Sequence, residues 1–439
     1  MKSGTDLKPT AESPDYQEAL LSHAAGDFLK AVEFYKSMPV TSPDYLEGQY
    51  YLGIALHHLG QHDQAINVLE ACIGLSGDRA DWLGDLGNVL AAQGKYEAAI
   101  QTFEKAIAKQ PDNALTRINL GSIYERLQRD AEAEACYQAA TVIDPASPEA
   151  YRLLSTLYTR QGRAVDAVHA YCKSYVLLPL EQTSPFLLGK AYYVLGRLDE
   201  AAAVYARWKQ AEPDNPIPEH LYAACSNLEV PERCSDAYIN VTFDDYAPEF
   251  DAKLNQLSYR GPALLQILLD DLKLPPQSLD ILDAGCGTGL CADALRPLAS
   301  RLTGVDLSQA MLNFAQGRGP YDGLHCQEIG AFLTQYPHAY DMIACIDTMI
   351  YFGALETIMA QLAQSLKKGG LLIFTTEAAE THGQNFRLQP SGRYAHARAY
   401  LEQVLAANGF TPLHWKEDML RMELDKPVQG YAIVVRLDR

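Results

Sequence analysis

The chain has 439 residues, enough for two or three domains at roughly 150 residues each. Apolar residues make up 48% and charged residues 21%, an ordinary globular balance that excludes a disordered or fibrous chain. The net charge of −19 is spread evenly, −9 over residues 1–215 (19 basic, 28 acidic) and −10 over 216–439 (17 basic, 27 acidic), so no basic arm or stripe invites nucleic acid.

From the N-terminus, MKSGTDLKPTAESPD lacks an apolar signal core, and residues 1–11 read as a flexible lead-in. A repeat of 34 residues then runs from Glu12 to Asn215 in six units beginning at 12, 46, 80, 114, 148 and 182. Position eight is small (Ala19, Gly53, Gly87, Gly121, Ser155, Gly189) and position twenty is always alanine (Ala31, Ala65, Ala99, Ala133, Ala167, Ala201). Position twenty-four is large: Tyr35, Leu69, Phe103, Tyr137, Tyr171, Tyr205. Proline closes five of the six units, at Pro43, Pro111, Pro145, Pro179 and Pro213. Small residues let two antiparallel helices approach, the large residue fills the gap beside them, and proline ends the second helix.

This pattern resembles the tetratricopeptide repeat, whose stacked helix pairs form a superhelix with a concave face for an extended peptide or partner helix. Positions five, nine, twelve and thirteen of each unit predict that this face carries Tyr50, His57, His58, Asn88, Arg126, Arg152, Arg160, Lys190 and Tyr193. Arg126, Arg152, Arg160 and Lys190 form a basic strip in an acidic protein, which points to an acidic or carboxylate-bearing protein or peptide partner; solvated helix faces are the alternative.

Residues 216–242 read as a capping helix and linker around Pro231. From 243 to 439 apolar runs alternate with amphipathic segments, which predicts an α/β doubly wound sheet. The strands expected are Leu279–Ala284, Leu302–Leu307, Gly323–Gln327, Tyr340–Ile346 and Leu371–Thr376, followed by a closing β-hairpin from Thr411–Trp415 and Tyr431–Leu437. The connection 378–394 is long enough to predict a lid or binding loop.

The first strand opens into Asp283-Ala284-Gly285-Cys286-Gly287-Thr288-Gly289, and the second ends in Val305-Asp306-Leu307-Ser308, where a carboxylate can take two ribose hydroxyls. With YDMIACID and LKKGGLLIFTTE, this set resembles the class I S-adenosylmethionine-dependent methyltransferases. FDDYAPEFDAKL, LSYRGP and GRYAHARAYLE extend the likeness to bacterial methyltransferases that carry tetratricopeptide repeats upstream, with relatives among the small Williams–Beuren-region methyltransferases. The resemblance implies S-adenosylmethionine as donor and S-adenosylhomocysteine as product. It implies that Gly285, Cys286, Gly287, Thr288 and Gly289 run under the methionine moiety, with Asp283 near its ammonium. It places Asp306 on the ribose, Leu307 and Met311 along the adenine, Glu328 on its amino group and Ile329 against the ring. Tyr246 would close over the donor, Arg260 would reach its carboxylate or cap a helix, and Asp347 would face donor and acceptor.

For catalysis, His396 is the leading base candidate, with His382 and Tyr246 behind it; Arg387 and Arg393 could bind an acidic acceptor. Three functions stay open. The first is a methyltransferase acting on a protein, peptide or carrier-bound acceptor recruited by the repeats. The second is a small-molecule O- or N-methyltransferase whose repeats serve assembly, and the third a non-catalytic scaffold. Nine cysteines without a CxxC pair or histidine cluster predict neither disulfide framework nor metal site. No run reaches the ~18 apolar residues of a membrane span. A cytoplasmic protein is expected.

Overall fold

The computed structural model describes residues 14–379 and 383–438; the lead-in 1–11 and His382 lie outside the described residues. The chain divides into two compact units, one ending at Leu178 and the other beginning at Pro179.

The first unit consists of helix pairs: α1 (Pro14–Ala24) with α2 (Phe28–Ser37), α3 (Tyr45–His58) with α4 (His62–Ser76), α5 (Ala80–Ala92) with α6 (Tyr96–Lys109), α7 (Ala114–Arg126) with α8 (Asp130–Ile143), and α9 (Pro148–Arg160) with α10 (Ala164–Val176). Each pair is one 34-residue unit, and the reason lies in positions eight and twenty-four. A Cβ on Gly53 would stand 2.7 Å from Leu69, on Gly87 2.7 Å from Phe103, and on Gly121 2.6 Å from Tyr137, so the glycine makes room for the large side chain of the second helix. Those large residues are fully buried at Leu69, Phe103 and Tyr137. The fifth unit departs from this: Ser155 replaces glycine and gives its hydroxyl to the Ala167 carbonyl (2.8 Å), while Tyr171 is 50% exposed.

The second unit opens with α11 (Pro185–Val194) and α12 (Leu198–Ala211), the sixth repeat, then α13 (Pro216–Ser226), the capping helix. Next come α14 (Asp236–Tyr246), α15 (Phe250–Gln256) and α16 (Gly261–Leu272). The sheet is built from β1 (Leu279–Ala284), β2 (Ala299–Asp306), β3 (Gly323–Cys326), β4 (Tyr340–Cys345), β5 (Leu366–Ala378), β6 (Phe386–Leu388), β7 (Tyr394–His396), β8 (Phe410–Glu423) and β9 (Lys426–Leu437). Between them run α17 (Ala292–Leu295), α18 (Gln309–Arg318), α19 (Ile329–Leu333), α20 (Glu356–Ser365) and α21 (Arg398–Ala407). The order is β3-β2-β1-β4-β5-β7-β6, with β9 antiparallel to β5 and β8 antiparallel to β9. The order reverses between β1 and β4, the switch point at which such sheets hold ligands beyond the strands' carboxyl ends.

Two features correct the expected layout. The long connection after β5 is not a free loop, because β6 and β7 form a short hairpin and β7 pairs in parallel with the end of β5 at Glu377 and Ala378. The closing hairpin is far longer than expected and carries a register shift between Met419 and Arg421 that turns Arg421 inward, leaving it 2% exposed.

The capping helix and the linker after it fold with the sheet. His220 Nε2 bonds the Gly392 carbonyl (2.8 Å), the Tyr394 hydroxyl donates to the Pro231 carbonyl (2.7 Å), and the Cys234 and Gly353 amides donate to Tyr351 and Glu232 (2.9 and 2.8 Å). Ala223, Ala224, Cys234, Tyr238, Leu388 and Tyr394 share one apolar cluster there.

Candidate active site

At the end of β1 the chain turns through Gly285, Gly287 and Gly289, all left-handed (φ +78°, +53° and +84°), a path that glycine takes without the cost of a Cβ. Gly285 also packs on the end of β4: a Cβ there would lie 2.7 Å from Thr348 Cγ2 and closer still to its hydroxyl oxygen. The loop is pinned to β2 by the Gly285 and Cys286 amides, which donate to the Val305 carbonyl (2.8 and 3.1 Å).

Asp306 stands beside this loop. Its Oδ2 accepts from the Gly287 amide (2.8 Å) and its Oδ1 from the Ser308 amide (2.9 Å), so the carboxylate is oriented before any ligand arrives. Burial raises its pKa, and the two amides work against that rise. Beneath the loop Asp283 is 2% exposed, accepts from the Tyr321 hydroxyl (2.7 Å), and is pushed up to about 7, chiefly by burial.

Helices α14 and α15 are tied over the same loop. Asp251 accepts from the Thr288 hydroxyl (2.6 Å) and pairs with Arg318; Asp244 accepts from the Ser308 hydroxyl (2.5 Å). Tyr246 lies between these ties, half-buried, with Lys253 Nζ 4.2 Å over its ring. Leu307 is half-buried, Met311 and Ile329 are buried, and Glu328 caps α19 through the Ala331 amide (2.6 Å). Arg260 is engaged by Asp418.

Beyond β4, Asp347 holds a left-handed backbone (φ +56°), uncommon outside glycine, and donates its amide to Thr375 Oγ1 (2.8 Å). Burial raises the Asp347 pKa, with Arg421 and Arg393 pulling the other way. Arg421 contacts Glu377, Glu423 (2.8 Å) and Asp347 (3.4 Å); Arg393 contacts Glu377 (2.9 Å) and Glu423. Tyr193, from α11 of the sixth repeat, lies within electrostatic reach of Arg393, Glu377 and Arg421.

His396 does not serve as the expected base. It is fully buried, Nδ1 meets Thr376 Oγ1 (2.6 Å), and Nε2 bonds the Phe352 and Gly353 carbonyls (2.8 and 3.2 Å). Burial lowers its pKa to about 4, so the ring is neutral and its lone pair is already taken by a hydroxyl. Arg387 is exposed on β6, and Arg393 is bound into the ionic cluster rather than free for an acceptor.

Arg421 and Glu423 escaped sequence reasoning; for Glu377 a signal existed, because it ends the LLIFTTE run. The expected basic strip is also altered. Arg160 is neutralised by Glu125 and Asp130 (2.7 Å each), Arg152 pairs with Glu149 (3.6 Å), Asn88 accepts from Asn119 (3.0 Å), and Lys190 belongs to the second unit. Arg126 is exposed. No helix among the described residues is long and apolar enough to cross a membrane.

Comparison with known proteins agrees with this geometry. A family profile for a methyltransferase domain matches residues 282–374, and tetratricopeptide-repeat profiles match 44–112, 85–148, 131–185 and 177–216. Human methyltransferase-like protein 27 is 31% identical over 190 residues, 40% of this chain and 76% of that protein. A ubiquinone biosynthesis O-methyltransferase of Coxiella burnetii is 28% identical over 141 residues, 30% of this chain and 59% of its own length. The magnesium protoporphyrin IX methyltransferase of Synechocystis, solved with its donor bound, is 23% identical, with a TM-score of 0.31 over 40% of this chain and 76% of that one. The glycine turn, the acid at the end of β2, the family profiles and the human relative lead to one assignment: the chain belongs to the S-adenosylmethionine-dependent methyltransferases, carries tetratricopeptide repeats before its catalytic sheet, and uses S-adenosylmethionine as methyl donor.

Proposed function

We propose that the protein methylates a protein, peptide or carrier-bound acceptor that its repeats recruit. The observation that carries this reading is Tyr193. It falls at a position expected on the concave face of the sixth repeat, and it lies within electrostatic reach of the ionic cluster at the carboxyl ends of β4 and β5. A repeat that comes this close to the ionic cluster suits an acceptor longer than the donor pocket.

In this reading Gly285–Gly289 cradle the methionine part of the donor, Asp283 takes its ammonium and Asp306 its ribose diol. Glu328 and Ile329 meet the adenine, Leu307 and Met311 flank it, and Tyr246 closes over it. Asp347 faces the transferring methyl group. Transfer from a sulfonium is an in-line displacement, and alignment of the two partners can supply ~7–11 kcal/mol of the barrier reduction. The ties from Asp244 and Asp251 hold α14 and α15 against the donor loop.

The test is transfer of tritium from methyl-labelled S-adenosylmethionine into fractionated cell extract. Label in macromolecules supports the proposal. Label confined to small molecules replaces it with a small-molecule methyltransferase whose repeats serve assembly.

A further inference from the structure

Tyr321, between α18 and β3, is fixed in the chain on both sides. Arg296 Nη1 donates to the Pro320 carbonyl (3.2 Å) and to Asp322 Oδ2 (2.6 Å). The Asp322 amide donates to the Leu302 carbonyl (2.8 Å), and the Leu302 amide donates back to Asp322 Oδ2 (2.7 Å). In β2, directly opposite Asp283, stands Gly304; a glycine weakens a strand interior and marks a place where other groups come close. A Cβ there would lie 2.7 Å from Leu324 Cδ2, 3.0 Å from Cys286 Sγ and 3.0 Å from Tyr321 Cε1. A Cβ on Gly289 would lie 3.2 Å from Tyr321 Cε2. One edge of the tyrosine ring therefore meets β2, the other meets the last glycine of the turn, and the hydroxyl donates to Asp283 Oδ2 (2.7 Å).

Asp283 depends on that hydroxyl. Burial and the charge of Asp306 both work against its ionised form, and the Tyr321 bond favours it. The other titratable groups within electrostatic reach are the thiols of Cys286, Cys291 and Cys345, which burial pushes up and keeps neutral. Burial and Asp283 likewise push Tyr321 up, so its hydroxyl keeps the proton it donates.

We propose that Tyr321 is a positioning residue for the methyl donor: its ring sets the glycine turn against β2, and its hydroxyl holds the Asp283 carboxylate ready for the donor's ammonium. The proposal rests on the reading in which Asp283 takes that ammonium, and it adds the side chain that keeps Asp283 fit to do so. A protonated Asp283 offers the ammonium no charge. Below pH 7, binding therefore has to release the Asp283 proton, and without the hydroxyl that release costs more.

Calorimetry on the full chain tests this, with S-adenosylhomocysteine as probe because no sulfonium acidifies its amine. The titrations run from about pH 5.5 to about pH 8.5, on either side of the Asp283 midpoint. Wild-type affinity should hold above pH 7 and fall by up to about tenfold per pH unit below it. In Tyr321→Phe the fall should begin roughly one to two pH units higher, the scale of a hydrogen bond to a charged group. Affinity at pH 7 should then be roughly 5-fold to 50-fold weaker, with most of the loss recovered at the alkaline end. Asp283→Asn should lose this part of the curve; any slope that survives in it belongs to Asp306, the other buried acid of the site.

A Tyr321→Phe curve with the wild-type midpoint, whether unchanged or lowered by one factor at every pH, overturns the proposal, because the residue then only packs. An Asp283→Asn curve equal to the wild type overturns the reading of Asp283 as the ammonium's partner, and the proposal with it. If Tyr321→Phe fails to fold, 3-fluorotyrosine at position 321 keeps the ring and makes its hydroxyl a stronger donor. The midpoint should then move down, and an unmoved midpoint overturns the proposal.

Discussion

Replacing Gly285 by alanine tests how tightly the donor loop is built. The residue has φ +78°, and a Cβ would lie 2.7 Å from Thr348 Cγ2, inside any normal carbon–carbon contact. Thr348 cannot easily yield, because it is buried and its hydroxyl donates to the Ala284 carbonyl (3.1 Å). The left-handed backbone adds roughly 1–2 kcal/mol for any residue with a Cβ, and overpacking adds roughly 1–3 kcal/mol. The sum, roughly 2–5 kcal/mol, corresponds to a fall of roughly 4–20 °C in Tm for a unit of this size. The assay is a thermal melt read beside donor affinity by calorimetry, for Gly285→Ala, Thr348→Ala and the double variant. Removing the threonine side chain removes the clash but not the backbone cost, so the double variant should recover roughly 1–3 kcal/mol relative to additivity. A Gly285→Ala protein with wild-type Tm and donor affinity, or a double variant that is merely additive, would falsify the close packing of loop on strand.

Asp306→Ala should weaken donor binding by roughly 1.5–3 kcal/mol in calorimetry, the scale of hydrogen bonds to a charged group; unchanged affinity would remove this carboxylate from the donor site. His396 titrates near 4 in the folded protein against 6.5 when free, so the unfolded chain takes the proton first. Its stabilising share is full above pH 6.5 and is lost as the pH falls toward 4, about 3 kcal/mol in all. Denaturant titrations between pH 7 and 5 should show a shallower slope for His396→Gln, and an equal slope in both proteins would contradict the buried neutral ring. Residues 179–439 should fold and bind donor alone, whereas a piece starting at Pro231 should aggregate or melt early, because Tyr238, Leu388 and Tyr394 lose the apolar cover of α13; light scattering and a donor titration separate the two. Arg126→Glu with Arg152→Glu should lower the specificity constant for a macromolecular acceptor severalfold at low salt and less at high salt, with donor affinity unchanged. A double variant as active as wild type at low salt would make that face irrelevant to substrate.

What could be read in the sequence was local or periodic. The repeats announced themselves because position eight meets position twenty-four in unit after unit, the fifth apart, which leaves a mark at fixed spacing. The glycine turn after β1 and Asp306 at the end of β2 were legible because they sit at strand ends, where one turn of chain decides what is possible. The acceptor side was not legible, for reasons of distance and length. Arg421, Glu377, Arg393 and Asp347 come from four separate stretches of chain, and a register shift in β8 turns the arginine inward. Strands β6 and β7 have three residues each, too few to show alternation, although Pro390-Ser391-Gly392 between them is a turn signal in hindsight. His396 misled because a histidine after a long connection reads the same whether it faces solvent or two carbonyls.

The seam after Leu178 has a meaning for how such chains arise and change. It separates five repeats from a sixth that packs on the capping helix α13, which itself shares a core with the β6–β7 hairpin, so the sixth belongs with the sheet and the five before it do not. Recombination at that point would exchange the first five repeats whole while leaving Gly285–Gly289, Asp306 and the ionic cluster in register. Ser155 and the outward Tyr171 mark the fifth repeat as the worn edge of that exchange, the one copy relieved of the packing rule the others obey. If the repeats recruit the acceptor as proposed, such an exchange readdresses one catalytic unit without a change to its chemistry.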